Sequence, residues 1–172
     1  MDETLSPIEK AVRFGGFVLA HAALIASDLA EGELICPFAI VTKDERRQVI
    51  PFEADTQAEA LARGKASLDE LKSQVDYWGL GREGLWSHPD DGDKKTDVLV
   101  ASAWTHEMEE PVVLMQRFRP ATTGQFTLLG TMEILLGGES VAIEAAHSLR
   151  ALASDGIAQH PSDVPWSSWL SH

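Results

Sequence analysis

Apolar residues near the start of the chain recur at three- and four-residue steps: Phe14, Phe17, Val18, His21, Leu24, Ile25 and Leu29 share one helical face. Ser6-Pro7-Ile8-Glu9 places a capping hydroxyl, a proline at the first helical position and a glutamate three residues after the cap. That order predicts a helix from Pro7, with Gly32 as its stop. Val12, Leu19, Ala22 and Ala23 widen the face, so the helix is expected either at the centre of the core or shared with a second copy of the chain. Gly15-Gly16 weakens it locally and permits close packing or a kink.

The pattern then changes period. Leu34 to Val41 is apolar and β-prone, with Pro37 suited to an edge, a strand start or a bulge. Thr42 to Arg47 reads as a turn and Val49 to Glu53 as the returning strand, Pro51 again marking an edge. Thr56 and Glu59 form a second capping pair, and Leu61, Leu68, Leu71 and Val75 make the buried stripe of a helix running to about Val75. Gly79 to Lys95 is rich in Gly, Asp, Pro and charge and reads as a loop. Strands are predicted at Asp97 to His106, Pro111 to Arg119 and Phe126 to Leu135, joined by short connections that imply antiparallel neighbours. Val141, Ala145, Leu149 and Leu152 give a last helix from about Ser140 to Ala153. The expected fold is therefore α+β: one domain over residues 1–172, a mainly antiparallel sheet of about five strands and three helices in the order α-β-β-α-β-β-β-α, helices mainly on one face.

Charge narrows the partners. With 27 Asp plus Glu against 14 Lys plus Arg, the net charge is −13. Such a surface repels phosphate backbones and anionic lipid and hastens encounter with cationic proteins, so no nucleic acid and no membrane are expected as partners. The single Cys36 cannot form an intramolecular disulfide, which favours a reducing, cytoplasmic setting. The apolar run Phe17 to Ala26 is too short to span a bilayer, and Asp2, Glu3 and Glu9 stand where an export leader would be basic.

Candidate chemistry is sparse. Gly79-Leu80-Gly81-Arg82-Glu83-Gly84 spells GxGxxG, but it follows a predicted helix rather than a strand, so a turn is the better reading. Gly137-Gly138 before Ser140 reads as an ordinary strand-to-helix junction. His106-Glu107-Met108-Glu109-Glu110 lacks the second histidine that a zinc helix needs and falls on a hairpin turn. Asp90-Asp91-Gly92-Asp93 offers hard oxygen ligands without calcium-loop spacing. Cys36, beside Pro37 in an apolar segment, is expected to be a buried, inert thiol. His21 and His147 are expected to be packed or surface-edge histidines. No cofactor and no metal are implied, and no nucleophile has a recognisable base.

Two features suit recognition. Arg117 and Arg119 flank Phe118 on one side of a strand, as a carboxylate or phosphate clamp or as partners for nearby acids. Trp166 and Trp169 lie in a short irregular tail, available to a partner or pinned onto the core. With the acidic turn Glu107, Glu109 and Glu110, they are the candidate binding residues. The leading expectation is a protein-binding or regulatory module, inhibitor- or immunity-like, docking a basic partner. The alternatives are a self-associating accessory protein, as a homodimer through the first helix and the tail, and a small-molecule site where Arg117, Arg119, His106 and Glu110 converge under a Gly79–Lys95 lid.

Overall fold

The computed structural model describes residues 5–30, 33–87, 95–121 and 124–170. Helix α1 (Pro7–Ala26) begins as its capping box predicts: Ser6 Oγ accepts the Glu9 amide at 3.2 Å and Glu9 Oε1 accepts the Ser6 amide at 3.0 Å. It stops before Gly32, a residue outside those described, where the Ser27 and Asp28 amides close a final turn on Ala23 and Ile25. Two strands follow, β1 (Phe38–Lys43) and β2 (Arg46–Pro51), then α2 (Gln57–Leu71). The rest of the sheet is β3 (Tyr77–Ser87), β4 (Lys95–Thr105), β5 (Val112–Arg119), β6 (Thr127–Leu136) and the two-residue β7 (Glu139–Ser140). Helix α3 (Ile143–Ala158) and the single turn α4 (Trp166–Trp169) complete the chain.

The seven strands form one antiparallel sheet in the order β2-β1-β3-β4-β5-β6-β7. The α+β class is as expected, with four helices and seven strands among the described residues rather than three and about five. The largest revision is β3. Gly79 and Gly81, read from sequence as turn residues, are mid-strand glycines: the Val18 and Phe14 side chains crowd the Cβ position of Gly79, and the Phe38 ring fills that of Gly81. Glycine serves close approach here rather than turning, and every described residue of the predicted Gly79–Lys95 loop is strand. Asp90–Asp93 lies outside the described residues.

Layering follows from strand alternation. Phe38, Ile40, Leu99, Ala101 and Leu114 point to one face, where α1 lies across the sheet and α3 packs on α1. Ala39, Val41 and Leu80 point to the other, where α2 docks through Ala60 and Leu68. The helices thus occupy both faces. Gly16 and Gly156 set the α1–α3 crossing, since a Cβ on either would overlap the backbone of the opposite helix at Ala153 or Arg13. Because α1 is enclosed between the sheet and α3, its broad apolar face is consumed within the chain.

Gly137 and Gly138, at φ 60° and 82°, form the β6–β7 turn and not a helix start. The exposed edge β2 carries Arg46, Arg47 and a terminal Pro51, all of which discourage pairing with another strand. Cys36 is exposed, contrary to expectation, because its buried neighbours Ile35 and Pro37 take the inward positions. No helix among the described residues is long and apolar enough to cross a membrane.

Candidate functional site

The β4–β5 connection, residues 106–111, carries the acidic candidates on a closely held turn. Its base is fixed by two hydrogen bonds: Thr105 Oγ1 donates to the Asp76 carbonyl at 2.8 Å and Trp104 Nε1 donates to the Met108 carbonyl at 2.9 Å. Trp104 stacks on Trp78 with centroids 6.0 Å apart, and His106 meets Trp104 edge-on at 5.2 Å. Trp78 Nε1 is buried with no hydrogen-bond partner among the described residues, a cost of roughly 1–3 kcal/mol set against the ring burial of the stack. Met108 packs inward on the main core, and the turn closes with Glu107 at φ 78°. Glu107, Glu109 and Glu110 are left facing solvent.

A cleft opens on each side of this turn. The first, of about 370 Å³, has an apolar floor of Pro7, Ile8, Met108, Pro111 and Leu136, and its rim carries all three glutamates. Ile8 is 39% exposed there, an apolar side chain in water at the start of α1. The second, of about 320 Å³, runs between α2 and the Trp78–Trp104 stack, and Glu109 and Pro111 line it as well. The acidic turn is therefore a ridge shared by two grooves.

The remaining candidates lie elsewhere. Arg117 and Arg119 sit at the far end of β5, roughly 20 Å from the turn at about 3.3 Å per residue, so Arg117, Arg119, His106 and Glu110 do not converge. Arg117 lies over Gly130, whose φ of 67° and missing Cβ make room for the guanidinium. Arg119 is exposed. Trp166 and Trp169 are half-buried against their own core: Trp169 meets Phe126 edge-on at 5.0 Å, and Leu170 bridges to Leu128 in parallel, adding the tail to the β6 edge.

Among the described residues, no group of three or more His, Cys, Asp or Glu side chains is placed to hold a metal ion. Glu83 and Asp97, near neighbours on β3 and β4, are both raised from their ordinary values by burial. For Glu83 the hydrogen bond from the Ile35 amide opposes that shift and the Asp97 charge adds to it. The sequence reading missed two arrangements. Trp78 stacks on Trp104 across the β3–β4 pair, and His21 Nδ1 lies 3.0 Å from His160 Nε2 although the two are 139 positions apart. Neither has a local spacing signal, since each is created by packing alone. Comparison of the chain with family models, with curated proteins and with solved structures returns no match, so function is argued from this geometry.

Proposed function

We propose that this protein is an acidic protein-binding or regulatory module that docks a basic partner on the β4–β5 ridge. One observation carries the reading: an apolar-floored cleft of about 370 Å³ lies beneath three exposed glutamates on a chain of net charge −13. The two parts divide the work. The summed negative field draws a cationic partner in and speeds association, while an apolar side chain seated on Ile8 and Met108 slows its departure. The fitting ligand is a segment with Lys or Arg flanking one or two apolar residues. Arg117, Arg119, Trp166 and Trp169 lie outside this surface.

The test is capture from lysate at low and high salt, followed by affinity measurement with the recovered partner. Glu107→Lys/Glu109→Lys/Glu110→Lys is compared with Glu53→Lys/Glu59→Lys/Glu70→Lys, which changes net charge equally at exposed sites away from the first cleft. The reading expects salt-weakened capture of a basic protein, lost more than about tenfold in the ridge variant and largely kept in the control. Equal loss in both variants, or no loss in either, overturns the ridge as the docking site. Recovery of the chain only with itself, in both salts, moves weight to self-association.

A further inference from the structure

The segment after α3 is held to the body of the protein by a histidine pair. His160 follows the α3 cap residue Gln159, is 6% exposed, and stacks on Phe17 of α1 at 5.0 Å. His21, on α1, meets Phe38 of β1 edge-on at 5.0 Å. One neutral arrangement satisfies every hydrogen bond. The Ser162 amide donates to His160 Nδ1 at 3.1 Å, so that nitrogen carries no proton and Nε2–H is the donor. It donates to His21 Nδ1 at 3.0 Å, and His21 keeps its own proton on Nε2.

A further proton has no place in this arrangement. On His21 it would set Nδ1–H against Nε2–H of His160; on His160 it would set Nδ1–H against the Ser162 amide. The surroundings also oppose a cation. Phe17 and Phe38 wall the pair from α1 and β1, and Arg47 of β2 places its guanidinium 4.1 Å from the Phe17 centroid. Glu45 shares the surface cleft beside Arg47, and Asp163, exposed, follows His160 in the same turn.

We propose that His21 and His160 form a proton-operated latch that holds the segment Pro161–Leu170 against the sheet at neutral pH and releases it on acidification. His160 anchors that segment: its carbonyl accepts the Asp163 amide at 3.2 Å, and the chain then runs on to Trp169 against Phe126 and Leu170 against Leu128. The segment is short and mostly exposed, with only Val164, Trp166, Trp169 and Leu170 half-buried, so it opens at lower cost than the α1–α3–sheet core. Burial holds both histidines below their ordinary 6.5, with the His21 and Arg47 charges adding to the effect on His160. The sign follows: the latch is fully closed above about 6.5 and opens as pH falls through the lowered values. Opening bares the β6 edge at Leu128 and the Phe126 ring, a new apolar surface.

The test is hydrogen exchange of Pro161–Leu170 across about pH 7.5 to about pH 5, corrected for intrinsic rates, with histidine nitrogen NMR followed in parallel. The expected result is a loss of tail protection of at least about tenfold, coincident with histidine titration, while α1 and the sheet stay protected. Arg47→Gln, an exposed change that removes a charge opposing the proton in the closed state, raises the histidine titration but moves tail opening to lower pH, and His21→Gln weakens the pH response to what the His160–Ser162 contact alone supplies. Tail protection that is independent of pH, or that is lost together with α1 and α3, overturns the latch. Should His21→Gln fail to fold, the Arg47→Gln shift decides: an unmoved midpoint overturns the proposal.

Discussion

At the scale of single residues the fold tolerates local strain where topology demands it. The β1–β2 turn has only Asp44 and Glu45 between strands, at φ 51° and 66°, the left-handed region that a two-residue hairpin requires and a Cβ disfavours. Glu45→Gly is expected to raise unfolding free energy by about 1 kcal/mol, read from the urea midpoint. Gly156→Ala should have the opposite sign. Its methyl meets the Arg13 backbone and forces α1 and α3 apart, costing roughly 3 kcal/mol; a midpoint within error of the parent would show that the crossing can yield. Glu83 gives a pH signature. Its carboxyl is raised in the folded state, so the native protein binds more protons than the unfolded chain, and Glu83 loses stability as pH rises from 4.5 through the raised value. Glu83→Gln keeps an oxygen for the Ile35 amide and is expected to gain roughly 0.5 kcal/mol at neutral pH, the small size reflecting solvent screening at this half-exposed site.

At the scale of elements, the tail behaves as an added strand end with an aromatic anchor. Trp169→Ala removes the contact with Phe126 and loosens the Leu170–Leu128 bridge. A half-buried tryptophan should cost about 2 kcal/mol, with faster proteolysis confined to the residues after α3. If cleavage instead spreads into β3 and β4, the tail is integral to the core rather than docked on it. The bulge between β5 and β6 is another element-level device. Gln116, 1% exposed, donates from Nε2 to the Leu129 carbonyl at 3.0 Å and the Gly130 carbonyl at 3.3 Å, serving acceptors where the ladder breaks.

At the scale of the whole molecule, the charge of −13 acts against compactness through self-repulsion and in favour of encounter with cations. Raising salt from about 10 to about 300 mM shortens the screening length severalfold and is expected to raise the melting temperature while weakening capture of a basic partner. A melting temperature that falls with salt would mean that surface ion pairs outweigh the net repulsion.

What the sequence determined by itself is the set of local decisions. The capping box set the start of α1 and the Thr56 side-chain cap that of α2, alternation set β4 to β6, and Pro51 marked an edge, because each depends on neighbours within a few positions. The acidic turn and its three glutamates were legible for the same reason. Strand β3 was not. Its glycines look like turn residues until α1 is laid across Gly79 and the Phe38 ring of β1 across Gly81, and only then does the absence of side chains become a packing requirement. The two clefts beside the turn, the Trp78–Trp104 stack and the His21–His160 pair likewise belong to the tertiary structure. They join residues from separate elements, and the contacts that make them exist only once the sheet is paired and α3 is seated on α1.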